Sequence, residues 1–472
     1  MCSIAGVYSR KGKSVSKEAL TLLSALRHRG PEAFGVASSK GAFTSKNFSS
    51  LTIPESPFIL GHCLLSTTGY LEQPVTVGNV SVAHNGQVYN YRELFPENKF
   101  ASDAEAIALF LVRALRKKSV LFAVKEFMRK AIGEYAIAFL YRGKLYAFRD
   151  FIGVKPLWFG SNESVHAFAS EPSALMKIDI QFPQPLLPGH LLVVSQKGTR
   201  TSKVFDLSDF RKSVPHNFSQ ERLASEFDRT IKLQTAGISR AAVLFSGGVD
   251  SSLIAKAVSN ELERTELFVA GTPESNDISF AERVAPELGL QLHKIYLDEK
   301  KIESLAFRAM KALSFFDEMQ LGIGIPELAC SEAIMKKGFK AVFSGQGSDE
   351  IFAGYMNYAR ILAEKDFKAV DDEIWFLLSR MWSRNFFRDD AMVSANSLEL
   401  RVPFVSTNFL CEAMAFPAKE KILAPDDKLR KHPVRALAVK YGLPEFVTLR
   451  PKKAMQYGSG VQKIVSRLFQ KT

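Results

Sequence analysis

Cysteine is scarce in this chain: 472 residues hold four, Cys2, Cys63, Cys330 and Cys411, and no two form a Cys-x-x-Cys pair. That scatter excludes a disulfide framework, argues against a structural zinc site and fits a reducing, cytoplasmic setting. Long apolar runs are also lacking. None approaches the ~20 residues a membrane helix needs, so no membrane partner is expected. The opening stretch from Met1 to Gly12 carries no basic leader and no long apolar core, so a signal peptide is not expected either. Internal repeats and low-complexity tracts are missing, which removes repeat architectures.

Acidic residues are too few to balance the basic ones, and the net charge is +13. The surplus is spread out, with only short runs such as Arg116-Lys117-Lys118 and Lys336-Lys337. Without a basic stripe interleaved with aromatics, nucleic acid is not an expected partner, and anionic substrates account for the charge as well. What remains is the composition of a globular protein, 46% hydrophobic and 24% charged. The length exceeds one core and implies two or three domains.

Residues 1–207 read as short apolar or alternating runs between turns, among them Ile4 to Tyr8, Val80 to Ala83, Tyr135 to Tyr141, Leu145 to Phe148 and His190 to Val194. Two helix-length segments interrupt them, Ser16 to Leu26 and Asp103 to Leu115. This density of strands predicts two packed antiparallel sheets with helices outside. The polar stretch 208–220, with Pro215 inside it, reads as a linker. From 221 to 472 strand and helix signals alternate, which predicts a parallel sheet covered on both faces.

Two glycine turns in this second part follow apolar strands. Ala241 to Phe245 leads into Ser246-Gly247-Gly248-Val249-Asp250-Ser251-Ser252 and then a helical stretch, Leu253 to Val258. Strand, glycine turn and helix together aim backbone N–H groups and the helix dipole at an anion. The glycines allow close backbone approach. The serines add hydroxyl donors, and Asp250 can hold a cation near a bound phosphate. The Gly-Lys-Ser/Thr ending of a Walker A loop is absent. The second turn, Ser344-Gly345-Gln346-Gly347-Ser348-Asp349-Glu350, follows Lys340 to Phe343. Either turn alone is equally an ordinary loop before a helix.

At the other end, removal of Met1 would leave Cys2 N-terminal. Its α-amino group, with a pKa near ~8, can then serve as general base for its own thiol. A small buried hydrophobe is the plainer role for a cysteine.

The sequence SGGVDSS resembles the PP-loop of ATP pyrophosphatases, which split ATP into AMP and pyrophosphate while adenylating a carboxylate or similar group. Arg27-His28-Arg29-Gly30-Pro31-Glu32, Gly61-His62, His84-Asn85-Gly86-Gln87-Val88-Tyr89-Asn90 and Ser102-Asp103-Ala104-Glu105 look like a class II glutamine amidotransferase domain with an N-terminal-nucleophile fold. SGQGSDE resembles the SGEGSDE motif of asparagine synthetases. Arg388-Asp389-Asp390, Arg401-Val402-Pro403-Phe404 and Arg450-Pro451-Lys452 match further signatures of that branch. The chain is thus identified as a member of the asparagine synthetase (glutamine-hydrolysing) family.

The resemblance implies a set of roles. Cys2 would be the nucleophile, and Asn85 and Gly86 the oxyanion hole. Asp103 would hold the α-amino group of L-glutamine, with positions 64 and 87 also facing it. ATP would lie on Leu244, Ser246, Gly247, Gly248, Asp250, Ser251, Ala270, Ser344 and Gly345. Asp250 and Asp349 would hold Mg²⁺. Gln346 and Lys452 would act at the reacting carboxylate of L-aspartate, with ammonia passing between the domains, and the resemblance leaves room for a homodimer.

The chain departs from the family pattern at three positions. Leu64 stands where the family has an Arg that pairs with glutamine's carboxylate, Gln87 where it has Glu, and Gln346 where it has Glu. Losing the first two anchors predicts weak binding of free glutamine and keeps external ammonia open as nitrogen source. Two other readings stay open: an amidotransferase or cyclase of the same fold acting on another carboxylate, and a nucleotide-binding regulatory protein with degenerate sites.

Overall fold

The computed structural model describes residues 1–314, 317–451 and 458–470. The chain forms two compact units, Met1–Lys212 and Ser213–Thr472. The division falls inside the stretch read as linker. That stretch opens with a short helix, Leu207–Arg211, whose Asp206 cap accepts from Ser208 and Asp209 N–H and whose Phe210 stacks on Phe151 of the first unit.

In the first unit two antiparallel sheets face each other. A seven-stranded sheet contains Ser3–Ser9 between Val165–Ala169 and Phe58–Leu64; a six-stranded sheet contains Val80–Val88 beside Gly133–Tyr141. The strands sit where alternating apolar runs were read, because side chains alternate across a pleated strand and only one face can meet each layer. Ile4, Leu60, Ala83, Ala136, Ala138 and Phe168 fill the space between the sheets. The run of alanines lets the two layers approach. Helix Ser16–Leu26 covers the outer face of the first sheet, and Asp103–Leu115 with Val120–Lys130 covers the second around Phe127 and Phe148. The architecture is helix, sheet, sheet, helix.

The second unit has one sheet of five parallel strands in the order Gln291–Tyr296, Arg264–Gly271, Arg240–Leu244, Ala341–Phe343, Glu399–Arg401. The middle strands are buried along nearly their whole length, as a parallel sheet covered by helices requires. Strand order reverses at Arg240–Leu244. Its neighbour on one side is the next strand in the chain, and on the other side the fourth. In an open parallel sheet the crevice at such a reversal, beyond the carboxyl ends of the strands, is where ligands bind. The two glycine turns leave the sheet from the two strands flanking that crevice. Among the described residues no helix is long and apolar enough to cross a membrane.

Candidate functional site

The Ser246–Ser252 turn is shaped by its own hydroxyls. Gly248 N–H donates to Ser246 Oγ (3.4 Å), Ser246 N–H to Ser251 Oγ (3.3 Å), and Ser251 Oγ–H to the Gly248 carbonyl (3.2 Å). Helix Val249–Glu261 starts immediately after Gly248, with Asp250 in its first turn, where the dipole favours negative charge. Gly247 has φ of +68° and backs onto Phe280 and Ala281. The second turn lies alongside, with Ser344 Oγ accepting from Gln346 N–H at 3.2 Å.

One cavity runs between these turns. Leu244, Ser246, Gly248, Asp250, Ser251, Ala270, Ser344, Gly345, Gln346 and Asp349, all singled out from the sequence, line it. Gly247 does not; it makes the bend behind the wall. Lys452 lies outside the described residues.

The cavity also exposes a residue that no motif marked. The Lys431 ammonium is fully buried and bridges Asp250 Oδ2 (2.7 Å) and Asp349 Oδ1 (2.6 Å). Ser348 Oγ–H donates to the other Asp250 oxygen at 2.7 Å. Lys431 itself has φ of +55°, an unusual backbone for a residue with a Cβ. Gly354 is needed for this packing, since a Cβ there would collide with Asp349 Oδ1 and Lys431 Cε. Two carboxylates from different strand ends thus converge on one cation. A divalent ion fits that donor pair, because Mg²⁺ takes one or two carboxylates and completes its shell with phosphate oxygens and water. Among the described residues no group of three or more His, Cys, Asp and Glu forms a metal cluster.

Further along the wall Arg388 pairs with Asp389 (2.5 Å) and, more loosely, with Glu327 (3.6 Å). Burial pushes both carboxyls up, and their proximity adds to the rise of Glu327. Arg388, Asp389 and Glu327 thus form a buried ion-pair network. Arg450 closes the far side, donating to the Ser246 carbonyl (3.1 Å) and lying over the Phe280 ring at 3.6 Å.

The first unit gathers the other set. Cys2 is buried at the head of the first strand. Its Sγ accepts from Leu65 N–H at 3.4 Å, and Cys2, Ala33, Leu64 and Leu65 form one apolar cluster. Asn85 is completely buried, and neither its Nδ2 nor its Oδ1 has a hydrogen-bond partner. A buried amide left unsatisfied is destabilising. Gly86 has φ of +117°, and a Cβ would run into the Glu134 carbonyl. Asp103 Oδ2 accepts from Val88 N–H (2.8 Å) and lies 3.1 Å from His84 Nε2. The Gln87 amide ties down a loop instead, donating to Thr67 Oγ1 (3.0 Å) and accepting from Thr68 Oγ1 (3.2 Å).

Beneath Cys2, Arg29 donates to the Cys2 carbonyl (3.2 Å) and pairs with Glu171 (3.1 Å), which also meets His28 at 3.0 Å. Burial alone would raise the Glu171 carboxyl; the hydrogen bond and charge of His28, then Arg29, outweigh it and hold it down at about 2. The Met1 ammonium donates to the Arg29 carbonyl at 3.0 Å.

The double sheet carries a cysteine at the head of its first strand, and the parallel sheet carries two glycine turns at its reversal point. Comparison with known proteins makes this specific. The asparagine synthase family model matches residues 222–385 and 363–471, and a glutamine amidotransferase domain model matches 1–185. The chain belongs to the asparagine synthase family. It is 29% identical to a Methanocaldococcus jannaschii protein provisionally named asparagine synthetase [glutamine-hydrolyzing] 1, over all of this chain and 96% of that one. To asparagine synthetase B [glutamine-hydrolyzing] of Escherichia coli it is 28% identical, over 98% of this chain and 83% of that one. Asparagine synthetase [glutamine-hydrolyzing] 2 of Oryza sativa is also 28% identical, with 98% and 78% covered.

Proposed function

We propose that the enzyme makes L-asparagine from L-aspartate, ATP and ammonia, with AMP and pyrophosphate as co-products and L-glutamine as the ammonia source. The observation that carries this reading is the convergence of Asp250 and Asp349, from the two glycine turns, on one cation in a cavity walled by both turns.

In this reading the adenine lies against Leu244 and Ala270. The phosphates rest on the Ser246–Ser251 turn and the N-terminus of helix Val249–Glu261. Asp250 and Asp349 would hold Mg²⁺, which when bound neutralises phosphate charge as pyrophosphate leaves. The β-carboxylate of aspartate attacks the α-phosphorus, expelling pyrophosphate and forming β-aspartyl-AMP. Gln346 lies at the cavity wall to hydrogen-bond that carboxyl without adding charge, and Lys452 would face the same centre. Ammonia then attacks the acyl carbon, AMP leaves, and one proton is lost from nitrogen.

In the first unit, removal of Met1 frees the Cys2 α-amine to take the thiol proton. The thiolate attacks the glutamine amide, Asn85 Nδ2 and the Gly86 N–H hold the oxyanion, and ammonia departs. Water then releases glutamate from the thioester. Asp103 meets the substrate ammonium. With Leu64 and Gln87 at the usual charged positions, glutamine binding is weak and ammonia serves in its place at high concentration.

The test is pyrophosphate release from ATP with Mg²⁺, with and without aspartate, using ammonium and then glutamine. Aspartate-dependent release with either nitrogen source supports the reading. Release independent of aspartate overturns it, and replacement of aspartate by another carboxylic acid, which Gln346 keeps in view, redirects it to a different acceptor.

A further inference from the structure

Five carboxyl side chains line the cavity, and four are already met by positive charge: Asp250 and Asp349 by Lys431, Glu327 by Arg388 and Asp277 by Arg450. Glu350 is the exception. It lines the same cavity and is only 3% exposed. Its Oε1 accepts from two neutral donors, Tyr355 Oη–H at 2.7 Å and Asn385 Nδ2–H at 2.8 Å. Its Oε2 is buried with no hydrogen-bond partner, and among the described residues Glu350 makes no ion pair. If ionised, it is a buried charge whose nearby cation, Lys431, is already paired with Asp250 and Asp349; if protonated, its hydroxyl lacks an acceptor. Either state is unfavourable until something in the cavity meets Oε2.

From this geometry we infer that Glu350 Oε2 receives the α-ammonium of the acceptor substrate, so that the cavity selects amino acids over their des-amino counterparts. The inference rests on the proposed reading of the cavity as the site of carboxylate adenylation. An ammonium suits the position better than a second divalent ion. One oxygen is free, the neighbouring donors Tyr355 and Asn385 would repel rather than coordinate a metal, and the carboxylates able to share a metal are the pair bridged by Lys431. Tyr355 and Asn385 act as positioning residues: by occupying Oε1 they leave Oε2 without a partner. Gln346, three residues before Asp349, carries no charge to compete for that ammonium.

The test compares L-aspartate with succinate, which keeps both carboxylates and lacks the ammonium, and L-glutamate with glutarate. Pyrophosphate release is followed in the full-length enzyme and in Glu350→Gln. The wild type is expected to favour aspartate over succinate by about 10- to 100-fold in kcat/KM, the range for a hydrogen-bonded charge. Glu350→Gln is expected to lose most of that preference through a raised KM for aspartate, with a much smaller change for succinate and with ATP binding, measured by calorimetry, intact. Equal losses for both acids would overturn the inference, as would an increased Mg²⁺ requirement with the preference unchanged. If Glu350→Gln does not fold, the wild-type preference decides, and a ratio near one sinks the idea. Failure of the broader reading looks different: aspartate then drives no release, and an amino acid that does must still show the ammonium preference and its loss in Glu350→Gln. If no acid or amino acid drives release, both fail.

Discussion

The two candidate sites treat charge in opposite ways. Immediately around Cys2 the side chains are apolar or neutral: Leu64 and Ala33 cluster with it, Gln87 is spent on a loop, and the Asn85 amide has no partner. Asp103, beside His84, is the one carboxylate assigned to this site. The charged groups nearby, Arg29 and Glu171, lie beneath and pair with each other. In the second unit the cavity wall is dense with acidic and basic side chains, and Lys431 sits between Asp250 and Asp349. In the proposed reading the first site serves an amide and a transient oxyanion, where low dielectric strengthens a few aimed donors. The second would take a polyanion and its cation, and it keeps the Lys431 ammonium between its carboxylates. On the proposed reading, this difference predicts that turnover with ammonia is robust and that turnover with glutamine is the weaker of the two.

The sharpest way to separate the halves is Cys2→Ala. Glutamine-dependent turnover should fall at least about a thousandfold, while ammonia-dependent turnover stays within about twofold of wild type. Pyrophosphate release with each nitrogen source reads both numbers. A parallel loss with ammonia would show that the two chemistries are not separable.

Charge is structural in the second unit, and Lys431→Met should show it. Removing one partner of a buried pair typically costs about 3–5 kcal/mol, because the other is left uncompensated. Denaturant unfolding should register a loss of about 3 kcal/mol, and Mg²⁺ should restore part of it by meeting the same two carboxylates.

Beneath the nucleophile the prediction concerns pH. Glu171 is held below its ordinary value, at about 2, despite burial that opposes this. A carboxyl depressed in the folded state stabilises it above about pH 4.5, and that contribution disappears as pH falls toward 2. Acid unfolding should therefore lose up to about 3 kcal/mol across that window. In Glu171→Gln this segment of the pH dependence should be missing.

The smallest effect is expected at Gln87. Gln87→Glu restores a carboxylate at a half-buried position without disturbing the apolar cluster at Leu64. We expect the KM for glutamine to fall by about three- to tenfold with kcat unchanged. No change would place the substrate ammonium elsewhere, on Asp103 alone.

Much of this organisation was legible in the sequence. Strands such as Val80–Val88 and Arg240–Leu244 and helices such as Ser16–Leu26 announce themselves, since apolar periodicity and burial share one cause. The glycine turns were legible because a chain that must bend at φ of +68°, as Gly247 does, accepts few other residues. Lys431 was not. It lies 181 residues from Asp250, in a stretch with ordinary basic composition, and only the fold brings it to the carboxylates. The same holds for Glu327 and Asn385, whose role depends on which face of a helix meets the cavity. Helix Glu318–Lys336 also hid itself, because two glycines and Pro326 interrupt the pattern while burial on most sides removes its amphipathic stripe.

The central claim, an adenylating cavity that works without the cysteine site, is tested most directly by pyrophosphate release in Cys2→Ala supplied with ATP, Mg²⁺, aspartate and ammonium. The account predicts aspartate-dependent release close to the wild-type rate. Absence of release in both proteins, or release that ignores aspartate, would contradict it.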